Sequence, residues 1–106
     1  MENEVGSVPQ FHEFYSKLPK DSALKREIKD LGDELRRRPM MGIKITQDRW
    51  PEIYARDYGI SNLFKIDLSG GRRLVYDIQR VKQVRRIRFI EYFSAHEEYE
   101  RRFGYR

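Results

Sequence analysis

Apolar residues recur at helical spacing twice in the first third of the chain. Phe11, Phe14, Tyr15 and Leu18 follow Ser7-Val8-Pro9-Gln10, which has the form of a capping box with proline in the first turn, and this predicts a first helix over residues 8 to 18. Leu18-Pro19-Lys20-Asp21 breaks that run. Leu24, Ile28, Leu31 and Leu35 then form a second apolar stripe among Lys, Arg, Glu and Asp, and Pro39 ends it, which predicts a second helix over residues 22 to 37. Two helices joined by a tight break make a hairpin, and its two stripes need an apolar surface to cover.

The period changes from helical to alternating after residue 61. "NLFKIDLSGGRRLVYDI" reads as two strands around a Gly-Gly turn, and "VRRIRFIEYF" follows as a third after the short polar connection from Arg80 to Gln83. The expected architecture is α+β, an N-terminal helical hairpin packed on an antiparallel meander. Between hairpin and meander, residues 40 to 60 are less regular: Trp50-Pro51 interrupts the chain, and Glu52 to Tyr58 has the length of a helical turn ending at Gly59.

Turn length decides which side chains share a face. A three-residue loop at Ser69-Gly70-Gly71 pairs Leu68 with Arg72, Asp67 with Arg73 and Ile66 with Leu74. Phe64, Ile66, Leu68, Leu74, Tyr76 and Ile78 then face the helices, and Lys65, Asp67, Arg73, Val75 and Asp77 face away. A two-residue loop puts Arg73 beside Ile66 and Leu68 and buries its charge at heavy cost, so the three-residue register is preferred. With Ile87 and Phe89 turned to the core, Arg86 and Arg88 join the second face, which is expected to be open and basic.

Composition adds limits to this pattern. A chain of 106 residues has room for one domain, residues 1 to 106, and 39% hydrophobic residues with six Phe, seven Tyr and one Trp suffice for a core despite 37% charged residues. There is no cysteine, which excludes a disulfide framework and any thiolate metal site, and two distant histidines make no structural zinc site. Neither a metal nor another cofactor is expected. The first thirty residues lack the apolar run of a signal peptide, and no stretch is long enough to cross a bilayer, so a cytoplasmic protein without membrane association is expected. The formal charge of +5 is uneven, with ten basic and five acidic residues from Arg72 onward, which favours a polyanionic partner or serves solubility alone.

Cutting RNA without a metal requires a group that takes the 2′-OH proton, a group that protonates the departing 5′ oxygen, and cations that stabilise the phosphorane between them. Lys65, Arg73, Arg86 and Arg88 would supply cations on the open face, and Tyr92, His96 and Tyr99 fall near its C-terminal rim. Each has a plainer reading. Arg73 pairs with Asp67 across the strands, Arg86 and Arg88 solvate an exposed face, and His96 decorates a terminal turn beside Glu97 and Glu98. His12 lies on the polar side of the first helix, among Glu13 and Lys17. Tyr99 and Phe103 are four apart, as are Arg101 and Tyr105, a spacing that suggests a terminal helix packing aromatics at the sheet edge. Phosphate loops, nucleophile elbows and metalloprotease motifs are absent from the sequence.

The order of helical hairpin, irregular link, "NLFKIDLSGGRRLVYDI", basic strand and "HEEYERRFGY" resembles the RelE/ParE superfamily of type II toxin-antitoxin toxins, in particular its RelE-like ribonuclease branch. The resemblance spans residues 11 to 105, and "RLVY" at residues 73 to 76 carries it most. It implies that Arg73 binds the scissile phosphate, that Lys65 is a further cation on the preceding strand, and that His96 and Tyr99 serve as general acid or base. Arg88 matches a phosphate contact by strand position only. The family further implies a toxin that cleaves mRNA in the ribosomal A site and is silenced by an acidic, partly disordered antitoxin folding over its basic face or hydrophobic edge. ParE-like members of the same fold lack the ribonuclease set and act on DNA gyrase, which leaves a non-catalytic inhibitor or a degenerate protein-binding module as the alternative. Two features depart from the family pattern. "MENEVGSV" is too short and too polar to read as the strand with which members commonly begin, and no glutamate matches the catalytic one of YoeB-like toxins, Glu52 being the local candidate in a poorly matching segment.

Overall fold

The computed structural model describes residues 1 to 104. In chain order these form β1 (Glu2–Ser7), α1 (Pro9–Ser16), α2 (Ala23–Arg37), β2 (Ile43–Lys44), α3 (Glu52–Tyr58), β3 (Phe64–Asp67), β4 (Arg73–Val81), β5 (Val84–Phe93) and α4 (His96–Phe103), with short 3-10 turns at Gln47–Arg49 and Ser69–Gly71. The strands make one sheet in the order β1-β5-β4-β3-β2. Tyr105, and with it the Arg101–Tyr105 pairing, lies outside the described residues.

The helical hairpin forms where the stripes predict it. Ser22 caps α2, its hydroxyl accepting from the Lys25 N–H at 3.0 Å, whereas α1 has Val8 at its N-cap and no side-chain cap, because Ser7 belongs to a strand instead. That strand overturns the helix-first order. β1 pairs in parallel with β5 from Glu2↔Val84 to Ser7↔Phe89, so the sheet is mixed, and its core-facing set is Asn3, Val5 and Ser7, with Val5 the one large apolar member. Its support comes from the backbone ladder to β5, from the Asn3 amide donating to the Arg36 carbonyl at 2.8 Å, and from α2 approaching closely at buried Gly32. A side chain there would meet Val5 at 3.4 Å and the Phe89 ring at 3.7 Å.

The β3–β4 register is the predicted one, with Ile66↔Leu74 and Asp67↔Arg73, and the Leu68 N–H bonds the Arg72 carbonyl at 2.8 Å. The β4–β5 turn is tighter than the expected Arg80 to Gln83 connection. Both strands continue to Val81↔Val84, so only Lys82 and Gln83 turn, with Lys82 at a φ of +56°. A bulge in β5 between the pairs Val75↔Glu91 and Tyr76↔Phe89 adds one residue, Ile90. On one face, α1 and α2 cover Leu74, Tyr76, Ile87 and Phe89, with Phe11 stacked on Phe89 at 5.2 Å and Phe14 on Tyr92 at 5.7 Å.

The second face was expected to be open and basic, and it is neither along most of its length. Tyr99 and Phe103 of α4 bury their rings there against Phe93, at centroid distances of 5.4 and 6.3 Å, Tyr54 of α3 packs on Phe103 at 5.9 Å, and Tyr99 stacks on Phe103 at 4.2 Å. The Tyr54 hydroxyl donates to Glu91 at 2.6 Å, and Arg102 holds both oxygens of the same carboxylate at 3.0 and 3.2 Å, so one acidic residue ties α3, β5 and α4 together. Burial and the neighbouring Glu91 charge push the Tyr54 phenol far above its ordinary range, so it stays a donor. Among the described residues no helix is long and apolar enough to cross a membrane.

Candidate functional site

One stretch of the second face escapes cover, at the end of the sheet where β4 begins. Three segments meet there. The Ser69–Gly71 turn holds Gly70 and Gly71 at φ values of +71° and +76°, a region that favours glycine, and brings Gly71 against the first residue of α4, with the site of a Cβ 3.9 Å from the His96 Cβ. β2 and the following turn close the other side, anchored by the Ile45 N–H to the Leu63 carbonyl at 2.8 Å and by the Trp50 indole N–H to the Ile45 carbonyl at 2.8 Å. Between them lies a shallow cleft of about 440 Å³, lined by Lys44, Thr46, Arg49, Lys65, Arg73, His96 and Tyr99 together with Ile45.

Arg73, Lys65, His96 and Tyr99 therefore come together. The Arg73 guanidinium lies over the Tyr99 ring at 4.5 Å and donates to Asp67 at 2.8 Å, and the Lys65 ammonium is 3.9 Å from the same carboxylate and 5.9 Å from the ring centroid. Asp67 is thus the resident anion of a cation pair, as the cross-strand register alone suggested, and it sits half exposed at the rim. His96 opens α4 and its Nε2 meets the Glu100 carboxylate one turn on at 2.6 Å, leaving about half its side-chain surface exposed. Tyr99 lines the cleft with a ring that is otherwise buried.

Arg86 and Arg88 are not part of this cleft. Arg88 stands opposite Asp77 in register and grips it with bonds of 2.9 and 2.7 Å while also donating to the Tyr58 carbonyl at 2.9 Å; Asp77 is completely buried, so the guanidinium is committed to neutralising an internal charge. Arg86 is exposed but pairs across with Gln79 and lies beside Glu4 near the opposite end of the sheet. Tyr92 is on the other face, against Phe14, and its hydroxyl is 3.4 Å from Arg72, which itself is held by Glu27. Glu52 opens α3 and does not line the cleft.

The cations of the irregular link, Lys44 and Arg49, join the cleft unannounced. Their only sequence signal was charge in a segment without periodicity, and two-residue β2 is too short to show alternation. What places them is a contact from the core. The Tyr76 hydroxyl donates to the Pro39 carbonyl at 2.8 Å and accepts from the Gly42 N–H at 3.0 Å, pinning the chain just before β2. A Cβ on Gly42 would stand 2.7 Å from that hydroxyl and 2.9 Å from the Lys65 carbonyl, distances that force a backbone shift. Gly42→Ala is therefore expected to destabilise the protein by about 1 to 3 kcal/mol, read by urea denaturation, and to displace Lys44 from the cleft.

The fold has a counterpart among solved structures. The chain is similar to the E. coli toxin RelE, solved as a double mutant in the free state, with a TM-score of 0.57 and 21% sequence identity over 98% of this chain and 96% of that one. The fold is therefore RelE-like. No family model matches the chain, and no curated protein matches it either.

Proposed function

We propose that the protein is the toxin of a type II toxin-antitoxin pair and that its cleft cleaves mRNA on the ribosome. The observation that carries this is the convergence of Lys44, Arg49, Lys65 and Arg73 with His96 and Tyr99 in one exposed cleft, on a RelE-like fold. Cleavage needs no more than such a set. A substrate phosphate replaces Asp67 on Arg73 and Lys65, the 2′-oxygen attacks the phosphorus as its proton is removed, and the 5′ oxygen leaves with a proton, producing a 2′,3′-cyclic phosphate. His96, exposed at its free ring edge, is the proton-transfer group best placed to reach solvent and substrate. Tyr99 supports the Arg73 guanidinium with its ring and offers its hydroxyl as the second acid-base group.

Substitutions separate these roles. His96→Ala is expected to slow cleavage of mRNA on programmed ribosomes by roughly 10²-fold, and Tyr99→Phe, which retains the buried ring, by roughly tenfold to 10²-fold, with unchanged circular dichroism. If both folded variants cut as fast as the wild type, the terminal helix contributes no chemistry. The partner follows from the same charge. An acidic antitoxin that covers the cleft restores growth on co-expression, and growth that is unaffected by high expression of the toxin alone would count against the whole proposal.

A further inference from the structure

The cleft holds an anion of its own. Asp67, the last residue of β3, stands opposite Arg73, the first residue of β4, and its Oδ1 accepts from the Arg73 Nε–H at 2.8 Å. Lys65, two residues back on the same face of β3, brings its ammonium to 3.9 Å from that oxygen. The three partners differ in freedom. Side-chain exposure is 19% for Arg73 and 22% for Lys65, both with their charge over the Tyr99 ring, against 51% for Asp67. The cations are therefore held by the fold, and the carboxylate is the member with solvent to swing into. Lys44 of β2 and Arg49 of the following turn line the same cleft, whereas the Asp67 contacts go to Lys65 and Arg73. The carboxylate thus covers one half of the cationic lining.

We infer that Asp67 is a specificity-determining residue: it occupies the place of one phosphate on Arg73 and Lys65, so that the cleft turns away a lone phosphodiester and admits a chain of them. The inference rests on the cleft being a phosphate site, as proposed above. A phosphodiester carries one negative charge, as the Asp67 carboxylate does, so the exchange on the two cations is close to balanced in charge. The carboxylate competes at the high effective concentration of a group tethered to the strand. Once displaced, it stays at the rim and repels the phosphate that has replaced it. Every ligand meets this same penalty, and offsetting it takes contacts beyond Arg73 and Lys65. Lys44 and Arg49 supply them to neighbouring phosphates of one strand, which a single phosphate does not possess.

The test follows the Arg73 Nε–H signal of the full chain by NMR while two ligands are titrated, with the amide spectrum as a check of the fold. One is dimethyl phosphate, a single diester with one charge; the other is a 2′-deoxy pentanucleotide, which has no 2′-hydroxyl and so reports binding without cleavage. In the wild type the pentanucleotide is expected to move the signal, and dimethyl phosphate at the same phosphorus concentration to leave it in place. Asp67→Asn is expected to tighten pentanucleotide binding roughly tenfold, through loss of the competing pair and of the repulsion, and to bring dimethyl phosphate binding into range. Asp67→Ser gives the same direction and removes the acceptor that an asparagine amide still offers to Arg73. Glu97→Gln deletes the same charge from an exposed position beside His96 and is expected to change affinity by less than about twofold at 0.15 M salt, where such distant charges are screened. Unchanged or weaker binding in both folded Asp67 variants would overturn the inference, because the carboxylate then aims Arg73 and does not compete with the ligand. An equal gain from Glu97→Gln would overturn it too, as an effect of net charge alone. Tighter binding by the Asp67 variants of a protein whose wild type cuts no mRNA would uphold the role of Asp67 while removing the proposed cleavage.

Discussion

Arg73→Ala is expected to slow mRNA cleavage on programmed ribosomes by roughly 10³-fold and to leave the fold intact, the largest loss among the cleft residues. The effect is large because charge on the phosphorane develops next to this guanidinium. Arg73 is four-fifths buried and backed by the Tyr99 ring, which holds the guanidinium in place as a phosphate displaces Asp67. The stability cost is small by comparison, since a pair whose carboxylate is half exposed contributes less than about 1 kcal/mol. Arg73→Lys recovers part of the rate, because an ammonium keeps the charge but loses the planar fork and the contact over the ring. Single-turnover cleavage separates the two variants; equal rates for wild type and Arg73→Ala would move the phosphate site elsewhere in the molecule.

Arg88→Met is expected to be the most destabilising change, costing about 3 to 5 kcal/mol at neutral pH, because it strands a charge with no exposure to solvent. Its pH dependence follows from Asp77. Burial already pushes that carboxyl above its ordinary range, and the bonds from Arg88 oppose the rise. Without Arg88 only a backbone hydrogen bond still opposes it, so the folded-state value moves further above the unfolded one. The sign is then settled: the penalty is fully present above the folded-state pKa and shrinks as pH falls from there toward the unfolded value, where both states hold the proton. Arg88→Met should lose less stability at mildly acidic pH than at pH 7, and Arg88→Met/Asp77→Asn should be more stable than Arg88→Met at neutral pH, with the gap closing on acidification. Urea denaturation at several pH values measures this, and a gap that does not depend on pH would mean that Asp77 does not carry the penalty.

The hairpin helices, the three-residue β3–β4 turn and the buried face were legible because each rests on local periodicity. Leu24 to Leu35 is a clean stripe, and burying Arg73 ruled out the other register. β1 was hidden because a strand needs little apolar content when its partner supplies the ladder, and Val5 alone does not make a pattern. The cover of the second face was hidden for a different reason. Tyr54 with Tyr58, and Tyr99 with Phe103, show the right spacing, but spacing does not say which face of a sheet a short helix meets. The same gap misplaced Arg88. Alternation put it on the same face as Asp77, and only the cover of that face makes this acid a buried one. Of the cleft, Lys65, Arg73, His96 and Tyr99 were readable from strand register and the terminal helix, whereas Lys44 and Arg49 depend on the Tyr76 anchor and have no periodic signal.

Primer extension on mRNA recovered from programmed ribosomes, with and without the wild-type protein, tests the proposed activity most directly. New 5′-hydroxyl ends within the A-site codon, absent when the mRNA is free of ribosomes, are the predicted result. Intact mRNA after incubation with folded wild-type protein at several-fold excess over ribosomes would contradict it.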